Sequence, residues 1–175
     1  MTAAEGTVQM QLRTATSDDL GAYLHGGRES LASVLGVSIP AGWPEYPWVI
    51  EFTLKALQEH PSQAGWWMYY FLNPQAGVLV GSGGYKGPPK NGTVEIGYEI
   101  APGFRGQGYA TAAARQLVEL AFNTAEVAVV EARTLPHMTA SATVLTKSGF
   151  VRQGLVPDDQ IRQAWLWRRT RPNRA

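Results

Sequence analysis

From Gln9 to Ala15, Met10, Leu12 and Thr14 alternate with Gln9, Gln11 and Arg13. This period of two predicts a half-buried strand. Ser17, Asp18 and Asp19 then offer capping oxygens and negative charge to unpaired first-turn amides, and Leu20, Tyr23 and Leu24 follow at helical spacing. The pattern predicts a short helix after the first strand. Around Gly36 to Pro47 the chain carries Gly36, Pro40, Gly42, Pro44 and Pro47, with Trp43, Tyr46 and Trp48 among and beside them. Such a segment cannot be regular structure and reads as an aromatic-rich loop. From Val49 to His60, Ile50, Leu54 and Leu57 recur at helical intervals until Pro61 stops them.

Trp66 to Leu72 is aromatic and β-prone, Asn73 to Gly77 is a turn, and Val78 to Tyr85 resumes a strand that Gly81, Gly83 and Gly84 weaken. A second turn at Lys90-Asn91-Gly92 precedes Thr93 to Ile100, so three consecutive antiparallel strands are expected. Ala112, Gln116, Leu117, Leu120 and Ala121 mark a helix, Val127 to Ala132 an apolar strand, and Thr139 to Ser148 a helix closed by Gly149. Ala164 to Arg169 alternates again and is expected to pair with Val151 to Leu155. The order is β, α, α, three strands, α, β, α, two strands. It predicts an α+β (mixed α/β) fold, mostly antiparallel with one right-handed parallel βαβ step.

Composition narrows the class of protein. A chain of 175 residues, 45% apolar and 17% charged, is sized for one globular domain spanning 1–175, with an ordered core from about 8 to 170. The net charge of +1 gives no reason to expect nucleic acid or an anionic membrane as partner. Arg162, Arg168, Arg169, Arg171 and Arg174 crowd the end of the chain, with Arg152 upstream; they read as a solvated tail. There is no cysteine, which removes disulfides and thiolate nucleophiles and fits a reducing cytoplasm. No apolar run approaches the ~20 residues of a membrane span, and Met1 to Gly6 lacks the order of a signal peptide. His25, His60 and His137 stand far apart, without zinc-site spacing, so they read as surface residues and no metal is expected.

The most informative stretch runs from Glu95 through Ile100 to Pro102-Gly103-Phe104-Arg105-Gly106-Gln107-Gly108-Tyr109-Ala110-Thr111. A strand entering a glycine loop and then a helix aims unpaired amides and the positive end of the helix dipole at one spot, which suits a phosphate or pyrophosphate. A P-loop would need a Lys before Thr111 and has none. A dinucleotide-binding loop is the closer decoy, with Glu131 near the place of a ribose-binding acid. Against it stand Thr111 at the third glycine position, a loop after the fourth strand, and only 44 residues following Glu131.

Arg105, Gly108 and Ala110 resemble the acetyl-CoA loop of the GNAT N-acetyltransferases: Gln or Arg, two residues, Gly, one residue, Gly or Ala. The resemblance is closest to the branch containing the ribosomal-protein N-terminal acetyltransferases. It extends to the Arg13 to Leu20 opening, to Glu95-Ile96-Gly97-Tyr98, and to Lys147, Gly149 and Phe150, and so spans most of the chain. It implies one GNAT-like domain with a V-shaped splay between the fourth and fifth strands, and transfer of acetyl from acetyl-CoA directly to a primary amine. It places the cofactor on Arg105, Gly106, Gln107, Gly108, Tyr109, Ala110 and Thr111, with Glu99 and Ile100 supplying main-chain groups to the pantetheine arm. A non-catalytic CoA-binding module, or more distantly an NAD-dependent oxidoreductase, is the alternative.

An ammonium must lose a proton before it attacks a thioester, and a leaving thiolate benefits from a donor. Glu95 and Glu99 lie four residues apart on one face of a strand. The resemblance favours Glu95 as base, with Glu99 second. It also points to Ser141 as donor to the sulfur. Two departures stand out: Met138 where many relatives carry Asn, and Leu145 where others carry a Tyr donor. Trp43, Tyr46 and Trp48 are expected to border the acceptor pocket, whose occupant is a small-molecule or peptide amine. A homodimer is compatible with all of this.

Overall fold

The computed structural model describes residues 8–137 and 139–173. Seven strands form one sheet: β1 (Gln11–Thr14), β2 (Met68–Asn73), β3 (Val78–Tyr85), β4 (Thr93–Ile100), β5 (Val129–Thr134), β6 (Val151–Asp158) and β7 (Arg162–Thr170). They lie in the order β1-β2-β3-β4-β5-β7-β6. All neighbours are antiparallel except β4 and β5, which are parallel as a crossover helix between them requires. The helices are α1 (Ser17–Leu35), α2 (Trp48–Glu59), α3 (Tyr109–Phe122) and α4 (Thr139–Lys147). Strand alternation divides the core in two. Tyr69, Phe71, Val80, Val94 and Ile96 pack with Ala113, Ala114 and Leu117 of α3 and Leu145 of α4. Met68, Tyr70, Leu72 and Leu79 pack with Leu20, Leu31 and Leu35 of α1 and Ile50 and Leu57 of α2. The α+β architecture with one parallel step is therefore the one read from the pattern.

Three local expectations change. The first helix is long: it bends at Gly27, whose φ of 67° is not helical, and resumes to bury Leu31 and Leu35 one turn apart. Its cap is Thr16, whose hydroxyl accepts from the Asp19 amide while Asp19 accepts from the Thr16 amide, each at 3.1 Å. The basic residues near the chain end are anchored. Arg168 pairs with Glu131 at 2.7 Å, Arg169 donates to the Ser148 carbonyl, and Arg171 donates to the carbonyls of Thr124 and Val127. Arg169 and Arg171 thus satisfy carbonyls in the turns that follow α4 and α3, and Arg168 ties β7 to β5. Arg174 lies outside the described residues. Among those described, no helix is long and apolar enough to cross a membrane, and no group of His, Asp and Glu could hold a metal ion.

Candidate active site

β4 and β5 run side by side only from Thr93 opposite Val129 to Ile96 opposite Ala132. Beyond that point Gly97 to Ile100 pair with β3 alone, while Arg133 and Thr134 of β5 continue along β7. The two strands part there, and the sheet opens in a V whose mouth faces the N-terminus of α3. At that mouth Gly106 and Gly108 have φ of 70° and 91°, a region that L side chains rarely adopt. Gly108 is the N-cap of α3 and supplies no side-chain oxygen to the first turn. Among the described residues, the amides from Gly106 to Thr111 have no hydrogen-bond partner. A Cβ on Gly106 would meet nothing within 4 Å, so open space lies beside that residue of the loop. Unpaired amides, a helix N-terminus and open space fit a phosphate group.

The loop side chains behave differently from its backbone. Tyr109 is buried, stacks edge-on with Phe104 and accepts from Asn73 Nδ2 at 2.9 Å, so only its amide faces the loop. Gln107 turns back to the Gly103 carbonyl. Arg105 is a latch: Nε donates to the Ile100 carbonyl at 2.9 Å and Nη2 to Glu45 Oε2 at 2.8 Å. It ties the end of β4 to the aromatic loop before α2.

The two glutamates of β4 share a face but not an environment. Glu95 is held by Lys86 at 2.5 Å and by Arg133, and Arg133 also approaches Asp158 at 3.9 Å. A carboxylate clamped between two cations is a structural tie across β3, β4, β5 and β6. Glu99 sits higher, where the V has opened. Its Oε2 accepts from the Glu45 amide at 2.8 Å, and its Oε1 faces Ser82 Oγ at 3.4 Å. Ser82 Oγ in turn accepts from Trp43 Nε1 at 3.0 Å. Burial raises the Glu99 pKa above the usual carboxylate range, against the lowering effect of the Glu45 amide, Ser82 and Arg105. β3 approaches closely enough for this because Gly81 has no side chain; a Cβ there would lie 2.2 Å from the Glu99 carbonyl oxygen.

Glu99 forms one end of a cleft of about 370 Å³ on the α2 face of the sheet. Tyr46, Trp48, Phe52 and Trp67 line it, and Trp48, Phe52 and Trp67 contact one another edge-on at 6.3 and 5.9 Å. Two of the three aromatic residues read from the loop are thus in the wall. Trp43 is not: it is 2% exposed, packs against Tyr23 and Tyr70, and serves the site from behind through Ser82. Phe52 and Trp67 escaped the sequence reading because they stand on α2 and before β2, distant from the loop that they complete.

Ser141 occupies the first turn of α4, half-buried, and its hydroxyl has no partner among the described residues. Leu145 is 1% exposed in the core beneath α4, so its position offers packing and no donor. Met138 lies outside the described residues.

The sequence profile of the acetyltransferase (GNAT) domain matches residues 9–151, most of the chain. The chain belongs to the GNAT acetyltransferase family. The expectation of an acetyl-CoA-dependent N-acetyltransferase agrees with that membership. A protein of Bacillus licheniformis, the uncharacterized N-acetyltransferase p20, is 32% identical over 69 residues, which is 39% of each chain. Among solved structures, the chain superposes on a spermidine N-acetyltransferase chimera of Vibrio cholerae SpeG and hSSAT, with TM-score 0.67, 14% identity and coverage of 93% and 95% of the two chains. It also superposes on the ribosomal-protein-S5-alanine acetyltransferase of Vibrio fischeri, with TM-score 0.66, 16% identity and 94% of both chains covered. A third likeness is to the aminoglycoside acetyltransferase AAC(6')-Ib solved with coenzyme A, with TM-score 0.65, 23% identity and 93% and 95% covered. These likenesses establish the fold that this family member shares with them.

Proposed function

We propose that this GNAT protein moves acetyl from acetyl-CoA to a primary amine held in the aromatic cleft, with Glu99 as the proton acceptor. The observation that carries this reading is the position of Glu99: a carboxyl with raised pKa, fixed by Glu45 and Ser82, at the meeting of the cleft and the opened V. Acetyl-CoA supplies the acetyl group on a thioester. The amides from Gly106 to Thr111 and the dipole of α3 hold its pyrophosphate, and its pantetheine arm runs along the flank of β4 at Glu99 and Ile100 that β5 leaves uncovered. In this role the Arg105 side chain fastens the loop to Glu45 and only its neighbours' amides touch the cofactor. Glu99 takes the proton from the incoming ammonium, which frees a lone pair for the acetyl carbon. Ser141, with its hydroxyl unengaged, donates toward the departing sulfur, a position that Leu145 cannot serve.

Glu99 replaces Glu95 in this reading because both carboxylate oxygens of Glu95 are already engaged, one by Lys86 and one by Arg133. Tyr46, Trp48, Phe52 and Trp67 enclose the acceptor. The cytoplasm is the setting we assign, supported by a chain without cysteine. The test compares Glu99→Gln with Glu95→Gln in an assay of free thiol released from acetyl-CoA, run over a panel of primary amines. Glu99→Gln should lower kcat about 10²-fold or more with CoA affinity intact. Glu95→Gln should lower the melting temperature and keep most of the turnover. The opposite ranking refutes the assignment.

A further inference from the structure

We infer that the cleft takes an uncharged-bodied monoamine, apolar apart from a neutral hydrogen-bond acceptor, and discriminates against polycations. This rests on the acetyltransferase reading above and specifies its acceptor.

Charge is the first observation. Among the described residues lining the cleft, Glu99 is the acid and Lys86 the base. The nearest further carboxylates are occupied: Glu45 by Arg105 at 2.8 Å, and Glu95 by Lys86 and Arg133. A polyamine or an aminoglycoside would bring several ammonium groups to a wall with one carboxyl. Each additional ammonium would lose hydration with no free anion to replace it. One ammonium, by contrast, has one acceptor in Glu99 and an aromatic wall in Tyr46, Trp48, Phe52 and Trp67.

The second observation is an unmet donor. Trp67 Nε1 is buried in the wall of the cleft and has no hydrogen-bond partner. A buried indole N–H ordinarily finds an acceptor, and leaving it unmade is costly. Phe52, more than half exposed at 53%, packs edge-on against Trp67 at 5.9 Å. The acceptor therefore carries a carbonyl or ether oxygen on the side away from its amine, and its body is a ring or short aliphatic group sized to Tyr46, Trp48 and Phe52.

The experiment loads the protein with CoA and titrates phenylethylamine, its ring para-carboxamide, spermidine and an aminoglycoside by calorimetry, so that binding is read whether or not turnover follows. Both phenyl compounds should bind more tightly than either polycation. The amide should bind about tenfold more tightly than the amine, as expected for one newly satisfied donor. Trp67→Phe should erase that ratio; comparing the ratio between wild type and variant cancels the two ligands' own ionisation. The wild-type ranking does not depend on the variant folding. Spermidine or the aminoglycoside binding more tightly than phenylethylamine would overturn the inference, as would an amide advantage that survives in Trp67→Phe. Tight binding of the phenyl compounds with no thiol release from acetyl-CoA would instead overturn the acetyltransferase reading and leave this one standing.

Discussion

Gly108→Ala separates what the glycine loop does for the fold from what it does for the cofactor. Its φ of 91° lies in the left-handed region, where a Cβ costs ~1–2 kcal/mol. In a chain of this size each kcal/mol lowers the melting temperature by roughly 2–4 °C, so a drop of about 2–8 °C is expected. The added methyl meets no clash in the free protein, since Val8 Cγ2 at 3.8 Å is the neighbour found within 4 Å. It does stand beside amides that would otherwise approach a phosphate. Losing one hydrogen bond to a charged group removes ~1.5–3 kcal/mol, or about ten- to a hundredfold in Kd for CoA. Gly103→Ala is the control: nothing lies within 4 Å of its Cβ, its φ is not left-handed, and it precedes the unpaired amides. It should change CoA affinity by less than about twofold by titration calorimetry. If folded Gly108→Ala binds CoA like wild type, or if Gly103→Ala loses as much, the cofactor is not held where the α3 amides point.

Glu99→Gln should also stabilise the protein. The raised pKa means that ionising Glu99 costs the folded state stability, a cost absent at low pH and complete above the raised value, so the variant's gain in melting temperature should grow from acidic toward neutral pH. Ser82→Ala removes a hydrogen bond that lowers the Glu99 pKa, so the rising limb of the pH–rate profile should move to higher pH; a shift to lower pH would refute the Trp43–Ser82–Glu99 chain. Ser141→Ala should slow turnover about ten- to a hundredfold with acetyl-CoA and less with an acyl donor whose thiol is more acidic. Equal losses with both donors, or CoA affinity lost in proportion, would make Ser141 a residue that only positions the cofactor.

Local periodicity carried the architecture: the alternation at Gln9 to Ala15, the glycine loop at Arg105 to Thr111 and the cap at Gly149 each depend on residues close in sequence. The break at Gly26-Gly27 hid the second half of α1, although Leu31, Leu35 and a left-handed Gly36 were there to be read as a helix end. The resemblance alone favours Glu95 over Glu99, whereas the contacts behind the proposal for Glu99 are non-local. What distinguishes them is Lys86 across a hairpin and Arg133 across a parallel crossover, neither of which spacing can place beside a given carboxylate. Trp43 and Trp48 look alike in an aromatic loop; only the packed sheet decides that one is buried behind Ser82 and the other lines a cleft.

The place of β7 in the sheet also governs how the chain can assemble. Strands β1 to β4 follow their sequence order and, after β1 has waited for β2, can zip as successive hairpins. The other end cannot. β7 lies between β5 and β6, so until Arg162–Thr170 has been synthesised β5 has an open flank and β6 has no neighbour at all among the described strands. Val129 to Thr134 is then an uncovered edge with its backbone unpaired on one side while a nascent chain waits, the kind of template on which a second nascent chain can dock. A message cut short before Arg162 would leave that state permanent, converting a protein whose β5 is flanked on both sides into one that recruits its own copies.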